Sequence, residues 1–318
     1  MRKRLPTFLA MAVGVLVLGG IAVGLHGALK KIEPGDVLTA LAVTPRQNLQ
    51  HAVLLLGLSM CVMGGYDLPG VIFARRTAAF PRLGLLRIGL ASFCAYALSH
   101  VLGAPALSAA AIRCRLYAQW KVPPSGIARI VTITGSTFTV GFLTTLGVLL
   151  LLNPLAVPVH APPGSLRFMG AMLAGTAIAY VAASGQREFV TLLGRRIPLP
   201  GTRLAFTQIL LSCADIAIAS GILYALLPHA PGLTMLPVLG LYLAAFVSGV
   251  FSGLPGGVGV FDSVLLLGLS AYLPPATALG AILLFRVLYF MAPACLAAPL
   301  YAGHELWMQA RSRRLRRS

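Results

Sequence analysis

Residues 252–263 read SGLPGGVGVFDS, and this run constrains the fold more than any other part of the chain. Apolar sequence flanks it on both sides, yet helical hydrogen bonding is interrupted within it by Gly253, Pro255, Gly256, Gly257 and Gly259. Hydrocarbon offers no partner to an unpaired backbone group, so irregular backbone at membrane depth occurs only inside protein or beside a water-filled cavity. Broken helices of this kind form midplane sites in many membrane proteins. The run predicts a polytopic membrane protein with an internal polar site.

The composition supports this class. Hydrophobic residues make up 58% of the 318 residues and charged residues only 10%, and the mean hydropathy is +0.88. The formal net charge of +18 does not indicate nucleic-acid binding, because no polar stretch is long enough to form a soluble basic domain. The five cysteines occur singly, without a CxxC spacing, so we expect no disulfide framework, no zinc site and no cofactor.

The hydrophobic pattern predicts an all-α polytopic membrane bundle of about seven to nine spans, one or two of them broken or re-entrant. Phe8 to Leu25 follows three basic residues and is long for a signal peptide, so we interpret residues 1–47 as an uncleaved anchor helix with a short extracytoplasmic segment. The alternative is a cleaved signal ending near Gly24. Further spans are predicted at 49–74, 83–103, 126–152, 168–184, 204–227, 235–252 and 276–302. Shorter apolar pieces at 104–118 and 258–271 each pair with the preceding span as a candidate re-entrant hairpin.

Basic residues predict the orientation. Most of the 25 lysines and arginines fall on one side if both termini are cytoplasmic, as the positive-inside rule requires. The chain must then cross and return between residues 83 and 118. Residues 303–318 are predicted to form a basic cytoplasmic tail that contacts anionic headgroups.

Five charged residues lie within predicted spans, and on an insertion scale each costs about 2.5–3.5 kcal/mol at a helix centre. They are Asp67, Arg87, Asp215, Asp262 and Arg286. Arg87 is close enough to a span end to extend its head toward water. For the other four, two interpretations stay open. One is structural pairing between helices, for instance Asp215 with Arg286, and the other is lining of a polar path.

A weak internal symmetry relates the two halves of the chain. Asp67 precedes Ser99, and Asp215 precedes Ser248, by nearly the same spacing, and each serine begins a helix-breaking run. The predicted orientation sends the two aspartate helices in opposite directions. This pattern is that of an inverted-topology repeat, in which a site is expected where the broken helices meet.

A second motif, IRCRLYAQW at 112–120, combines basic and aromatic residues. The planar fork of an arginine suits bidentate contact with phosphate, which favours a phosphate-binding role for Arg113 and Arg115. The alternative is an ordinary interfacial anchor, because Tyr117 and Trp120 are residue types that prefer the headgroup level. The preceding small-residue run at 103–111 permits close helix packing and would hold these arginines against the bundle.

From about residue 48 to 302 the chain resembles the membrane half of the bacterial lysylphosphatidylglycerol synthase family, also called the multiple peptide resistance factor family. The matching motifs are Tyr66-Asp67, IRCRLY with Arg113, Arg115 and Tyr117, LPGGVGVFD at 254–262, and the set Leu283, Arg286 and Tyr289. In that family the membrane half is implicated in moving aminoacylated phospholipid between leaflets, while a separate soluble domain makes the lipid. Only residues 303–318 follow the resemblance, so we expect no synthase domain and no lysyltransferase activity.

The resemblance implies a lipid translocase whose partners are membrane phospholipids rather than nucleic acid. The residues expected to bind the lipid are Asp67, Arg113, Arg115, Tyr117, Asp215, Pro255, Gly256, Gly257, Asp262 and Arg286. No GxxxxGK[ST] motif is present, so we expect passive or ion-coupled transport. Two alternatives stay open, an intramembrane lipid-modifying enzyme and a scaffold for lipid-synthesis enzymes. His100, the histidine beside a broken helix, is expected to be packed or hydrogen-bonded rather than a metal ligand. The sequence does not predict an oligomeric state.

Overall fold

A computed structural model describes residues 44–102, 104–158, 161–192, 195–252 and 254–314, together with Gly35, Thr39 and Ala42. The anchor helix predicted at Phe8 to Leu25 lies outside these residues, as does the end of the basic tail at 315–318.

The described chain is built almost entirely of helices. In chain order these are α1 (Arg46–Gly65), α2 (Leu68–Thr77), α3 (Leu85–Leu102), α4 (Pro105–Gln119), α5 (Pro124–Leu152), α6 (Pro163–Gln186), α7 (Thr202–Leu226), α8 (Met235–Phe251), α9 (Val260–Leu269), α10 (Pro275–Phe285) and α11 (Ala292–Arg314). A π-helical turn, Arg286–Met291, joins α10 to α11. Within the described part, six segments are long and apolar enough to cross a membrane: Arg46–Arg76, Leu85–Leu102, Pro124–Leu152, Pro163–Gln186, Thr202–Leu226 and Pro275–Ala310. The predicted all-α polytopic membrane bundle is confirmed.

The first spanning segment is broken at its acid. α1 ends at Gly65 and α2 begins at Leu68, with Pro69 in its first turn. Proline has no backbone N–H and clashes with the preceding helical turn, so a continuous helix cannot pass through this position. The break places Tyr66 and Asp67 at the junction of the two helices, and both are buried.

Two helical hairpins interrupt the regular spans. α3 and α4 pack against each other, and the chain turns between them at Ala104, which has a positive φ of 43° and precedes Pro105. α8 and α9 also pack against each other, and between them lies a short 3₁₀ turn at Pro255–Gly257. The two apolar pieces predicted at 104–118 and 258–271 therefore correspond to α4 and α9, and both predicted helix breaks are observed.

The turn between α8 and α9 depends on glycine. Gly256, Gly257 and Gly259 have φ values of 60°, 60° and 88°, a backbone region that glycine adopts without strain. The turn also packs closely against other backbone. A methyl group on Gly257 would lie 2.8 Å from the Cα atom of Gly249, and one on Gly256 would lie 3.1 Å from the carbonyl oxygen of His100. The absence of side chains allows this turn to contact α8 and α3 directly.

Apolar packing forms two large clusters. One is built around α7, α8, α9 and α10, and the other around α3, α4 and the first turns of α11. The turn between α8 and α9 contacts both α8 and α3, so it lies where the two clusters adjoin. α7 holds much of the bundle together, because it packs against α1, α5, α6, α8 and α10.

Two features add detail to the predicted loops. Residues 185–203, predicted as a loop, contain an antiparallel pair of short strands, β1 (Phe189–Leu192) and β2 (Arg195–Pro198), in which Phe189 is opposite Pro198. The guanidinium of Arg196 lies 4.8 Å from the ring centre of Phe189. At the other end, α11 continues without interruption past residue 302 to Arg314, so the predicted tail begins as helix.

We predict that a single methyl group at Gly170 weakens the bundle. α5 and α6 approach each other so closely that a Cβ atom at Gly170 would lie 2.9 Å from the carbonyl oxygen of Gly147. Gly170→Ala is expected to lower the free energy of unfolding by about 1–3 kcal/mol through overpacking. The matched control is Gly175→Ala on the same helix, where nothing lies within 4 Å. Thermal unfolding in detergent measures both variants, and equal midpoints would contradict the close approach.

Candidate functional site

Three ion pairs join distant helices among the described residues, and each uses a residue that the sequence singled out. They are Asp67–Arg113, Glu305–Arg115 and Asp262–Arg286. The aspartates predicted within the membrane therefore have different surroundings, and each is described in turn.

The Asp67 cluster, formed by Asp67, Ser92, Arg113, Tyr117 and Thr134, is closed to solvent. The Nε atom of Arg113 donates to both carboxylate oxygens of Asp67 at 2.8 and 3.0 Å. The hydroxyls of Tyr117 and Thr134 donate to the same carboxylate at 2.9 and 3.4 Å. The backbone N–H of Asp67 donates to Ser92 Oγ at 3.1 Å. Because the exposure of Asp67 is 0%, this cluster joins α2, α3, α4 and α5 as a satisfied polar network.

The second arginine of the IRCRLY motif is also paired. Arg115 donates from Nε and Nη2 to the two oxygens of Glu305, both at 2.7 Å, which is the bidentate arrangement. The side-chain amide of Gln119 donates to the same carboxylate at 2.6 Å. Glu305 lies on α11 and is buried. Phosphate binding by Arg113 or Arg115 would thus require one of these ion pairs to open.

The third pair lies in the glycine-rich turn and is more open. Arg286 donates from Nε to Asp262 and from Nη2 to the carbonyl oxygen of Gly256 at 3.3 Å. The remaining carboxylate oxygen of Asp262 accepts the backbone N–H of Gly259 at 3.0 Å, which caps α9. The side chain of Asp262 is 23% exposed and that of Arg286 is 9% exposed. The guanidinium also lies 5.6 Å from the ring centres of both Phe261 and Phe290.

A small cavity lies where the two broken runs meet. Its volume is about 30 Å³, which has room for water only. It is lined by His100, Pro105, Phe246, Gly249, Val250, Leu254, Gly256, Gly257, Phe261 and Phe290. The ends of the α3–α4 and α8–α9 hairpins are therefore adjacent, as the inverted-repeat interpretation expected. We call the pair Asp262–Arg286, the carbonyl of Gly256 and this cavity the turn site.

Asp215 is not part of any of these pairs. The pairing of Asp215 with Arg286, given as one example from the sequence, does not form, because Arg286 lies against Asp262 instead. The Oδ2 atom of Asp215 accepts the hydroxyl of Tyr96 at 2.5 Å. Its Oδ1 atom is buried and has no hydrogen-bond partner among the described residues.

His100 behaves as expected from the sequence. Its Nδ1 atom lies 2.8 Å from the carbonyl oxygen of Tyr96, one helical turn earlier. Its ring packs 4.8 Å from the ring of Tyr96 and 5.5 Å from that of Phe290. Within the described residues, no group of three or more His, Cys, Asp or Glu side chains could hold a metal ion. The prediction that His100 is a packed, hydrogen-bonded histidine is confirmed.

Several members of these clusters were not singled out from the sequence, namely Ser92, Tyr96, Thr134 and Glu305. Glu305 falls in a segment interpreted as tail, and Tyr96 is an aromatic residue in an apolar span. The side chain of Pro255, a predicted site residue, lies outside the described set. Of the other predicted residues, Gly256, Asp262 and Arg286 meet at the turn site, while Gly257 lines its cavity.

We predict that breaking the Asp67 cluster lowers the free energy of unfolding, largely because the remaining charged side chain is left buried without its partner. Asp67→Asn leaves Arg113 buried without an anion, so the free energy of unfolding is expected to fall by about 3–5 kcal/mol. The double variant Asp67→Asn with Arg113→Gln is expected to lose clearly less than the sum of the two single variants. Detergent unfolding midpoints of all four proteins form the cycle. Additive losses would show that the two side chains do not interact.

Comparisons with known proteins extend over nearly the whole chain. No family model matches. The chain is 30% identical over 316 residues to the uncharacterized protein slr0712 of Synechocystis. This match covers 98% of the chain and 95% of slr0712. The chain is also 26% identical over 292 residues to the inner membrane protein YbhN of Escherichia coli, covering 90% of this chain and 88% of that protein.

A shorter match supports part of the resemblance stated from the sequence. Over 61 residues the chain is 43% identical to a phosphatidylglycerol lysyltransferase of Staphylococcus haemolyticus, which covers 19% of this chain and 7% of that protein. The longer similarities, in contrast, are to proteins named only as uncharacterized or as located in the inner membrane. The similarity along nearly its whole length places this multi-pass membrane protein in the same family as slr0712.

Proposed function

We propose that this protein is a translocase that moves an anionic phospholipid between the leaflets of the bacterial inner membrane. The short similarity to a phosphatidylglycerol lysyltransferase and the longer one to an inner membrane protein support the substrate class and the location. The basic residue distribution supports an orientation with both termini in the cytoplasm. The protein does not itself modify the lipid in this proposal, and enzymes of lipid synthesis are its expected neighbours.

The observation that carries the proposal is the position of Arg286 at the turn site. Its Nη1 atom makes no hydrogen bond within the described part of the chain, while Nε and Nη2 are engaged by Asp262 and the Gly256 carbonyl. A guanidinium held in this way has a donor left for a phosphate oxygen. It also lies beside the cavity where two broken helices meet, the location at which transporters of this type bind substrate.

The turn site is too small for a headgroup in the present arrangement, because its cavity of about 30 Å³ has room for water only. Alternating access then requires the two hairpins to separate. The glycine turn contacts α3 through the His100 carbonyl and α8 through Gly249, so both contacts would change as the site opens. A phosphate that reaches Arg286 would take the place of the Asp262 carboxylate, which is already partly exposed.

The two arginines of the IRCRLY motif have a different place in this proposal. Arg113 and Arg115 each have a carboxylate partner, so they hold the α4 helix in position while the lipid phosphate is first received by Arg286. They become phosphate ligands only if Asp67 or Glu305 is released. Asp67 and Tyr117 then maintain the wall of the path rather than contact the headgroup at rest.

We predict that leaflet exchange depends on the guanidinium of Arg286. In proteoliposomes with fluorescent phosphatidylglycerol and its lysyl derivative, wild type is expected to accelerate exchange over empty liposomes. Arg286→Gln should slow it by about tenfold to a hundredfold, the loss of one charge-assisted hydrogen bond. Arg286→Lys keeps the charge without the planar fork and should fall between the two. Arg75→Gln, an exposed arginine at the end of α2, serves as the matched control.

Three other outcomes would contradict this proposal. Exchange that is no faster than in empty liposomes, with folded protein and both lipids, would overturn the translocase for these cargoes. Conversion of the labelled lipid into a new product, detected by mass spectrometry, would favour a lipid-modifying enzyme. Full exchange in Arg286→Gln and in Asp262→Asn would move the path away from the turn site.

A further inference from the structure

Asp215 lies in the interior of the bundle among tyrosine hydroxyls. The side chain projects from α7, and its residue is 1% exposed. The hydroxyl of Tyr96 on α3 donates a hydrogen bond to its carboxylate. Three more tyrosines are close enough to interact electrostatically with it. These are Tyr66 after α1, Tyr242 of α8 and Tyr289 of the π-helical turn. We call the five residues the Asp215 cluster.

The cluster contains no cation. Arg113 is engaged by Asp67, Arg286 by Asp262 and Arg115 by Glu305, so each intramembrane arginine that the structure pairs has another acid. Besides the tyrosines, three titratable groups adjoin the cluster: the His100 ring packs against Tyr96 at 4.8 Å, and Arg113 and Cys213 interact electrostatically with Tyr66. The described residues of α2, α5, α6 and α10, which also pack on α7, form no hydrogen bond or ion pair with Asp215. A carboxylate charge here has one hydroxyl as partner, and burying a charge without a counterion is costly.

The free oxygen of Asp215 is the second independent observation. Oδ1 is buried without a partner among the described residues. Buried polar atoms are normally satisfied, so an unpartnered carboxylate oxygen indicates a site that binds a proton or a cation. A proton on the carboxyl removes the charge without needing space.

Two tyrosine hydroxyls continue from this carboxyl, and packing contacts connect them to the turn site. The hydroxyl of Tyr96 lies 2.5 Å from Asp215 Oδ2 and 3.4 Å from the hydroxyl of Tyr289. The ring of His100 packs against that of Tyr96 at 4.8 Å and also lines the cavity of the turn site. Hydroxyls can donate and accept together, so Tyr96 and Tyr289 can pass a proton to or from Asp215. Tyr289 and Arg286 share the π-helical turn, which joins the two sites through one element.

We propose that Asp215 is a proton-binding site, and that its protonation couples opening of the turn site to the proton gradient across the membrane. The coupling half of this inference rests on the proposed translocase function, whereas proton binding does not. The neutral acid is compatible with the closed arrangement around Tyr96. The ionised form would be stabilised only when water reaches the cluster, which ties deprotonation to an open conformation.

A sodium ion is the competing occupant of the same carboxyl. Hard cations of this kind require several oxygen ligands, and the described residues place only the Tyr96 hydroxyl within hydrogen-bonding distance of Asp215. The Tyr289 hydroxyl is a further step away along the chain. The geometry therefore favours a proton, and sodium dependence is kept as an outcome of the test.

The first test measures the proton directly and needs no transport. Infrared difference spectra of the purified full-length protein in liposomes, recorded over a pH series, are expected to show the carbonyl stretch of a protonated carboxylic acid. The band should be absent from Asp215→Asn and present in Asp262→Asn, which is the matched control. Tyr96→Phe should shift the band, because it removes the hydrogen bond to Oδ2. A band that persists in Asp215→Asn, or a spectrum that responds to sodium and not to pH, would overturn the proposal.

The second test measures coupling. With an imposed pH gradient, wild-type proteoliposomes are expected to accumulate the labelled lipid in one leaflet, and the exchange rate should change by up to about tenfold per pH unit on one side of the titration. Asp215→Asn mimics the neutral acid, so exchange should continue but the lipid should distribute evenly and the rate should lose its pH dependence. A wild type that exchanges lipid without any response to the gradient would overturn coupling while leaving the translocase intact. A wild type that exchanges nothing would overturn the translocase, and the infrared measurement would still decide proton binding.

Discussion

Inside a membrane every charge and every broken backbone segment must find its partner within the protein, and this requirement organises the structure. The described chain meets it by joining helices that are distant in sequence. Arg113 is separated from Asp67 by 46 residues and Arg115 from Glu305 by 190. Each pair removes two unfavourable groups from hydrocarbon at once, so the pairs act as cross-links between α2, α4 and α11. The loss of one partner is therefore expected to cost more than the pair itself contributes.

The three intramembrane aspartates look alike in the sequence, but they differ in the hydrogen bonds and ion pairs that they form. Asp67 has four side-chain and backbone interactions and no exposure, which describes a structural network. Asp262 caps a short helix and is partly exposed, so its ion pair is the more open one. Asp215 has a single hydroxyl and a free oxygen. The three aspartates thus differ in the number of contacts that hold them, from a buried network at Asp67 to a partly exposed ion pair at Asp262 to a single hydrogen bond at Asp215.

Two of the three helix breaks could be predicted from the sequence, and the partners of the charges could not. Proline and glycine act locally, so Pro105 and the glycines at 256–259 indicate interruptions wherever the rest of the chain lies. The break before Pro69 was not predicted, because 49–74 was interpreted as one span. Pairing is a property of three-dimensional packing. Glu305 gave no signal because it stands among polar residues after an apolar stretch, and its burial becomes evident only when α11 is seen to continue past residue 302. Tyr96 was not identified for a related reason, since a single tyrosine in an apolar span does not indicate that its hydroxyl has a buried carboxylate as partner.

The π-helical turn at Arg286–Met291 allows one continuous helical segment to pack into both apolar clusters. A π turn holds one residue more than an α turn, and one added residue rotates everything after it by about 100° about the helix axis. Residues of α10 and of the turn itself pack into the cluster around α7, whereas Ala294, Ala297 and Tyr301 pack into the cluster around α3. Without that rotation a single apolar stripe would run along the segment and fit only one of the two. The extra residue thus rotates the apolar face of the helix from one cluster to the other. The same turn places Arg286 at the turn site and Tyr289 in the Asp215 cluster.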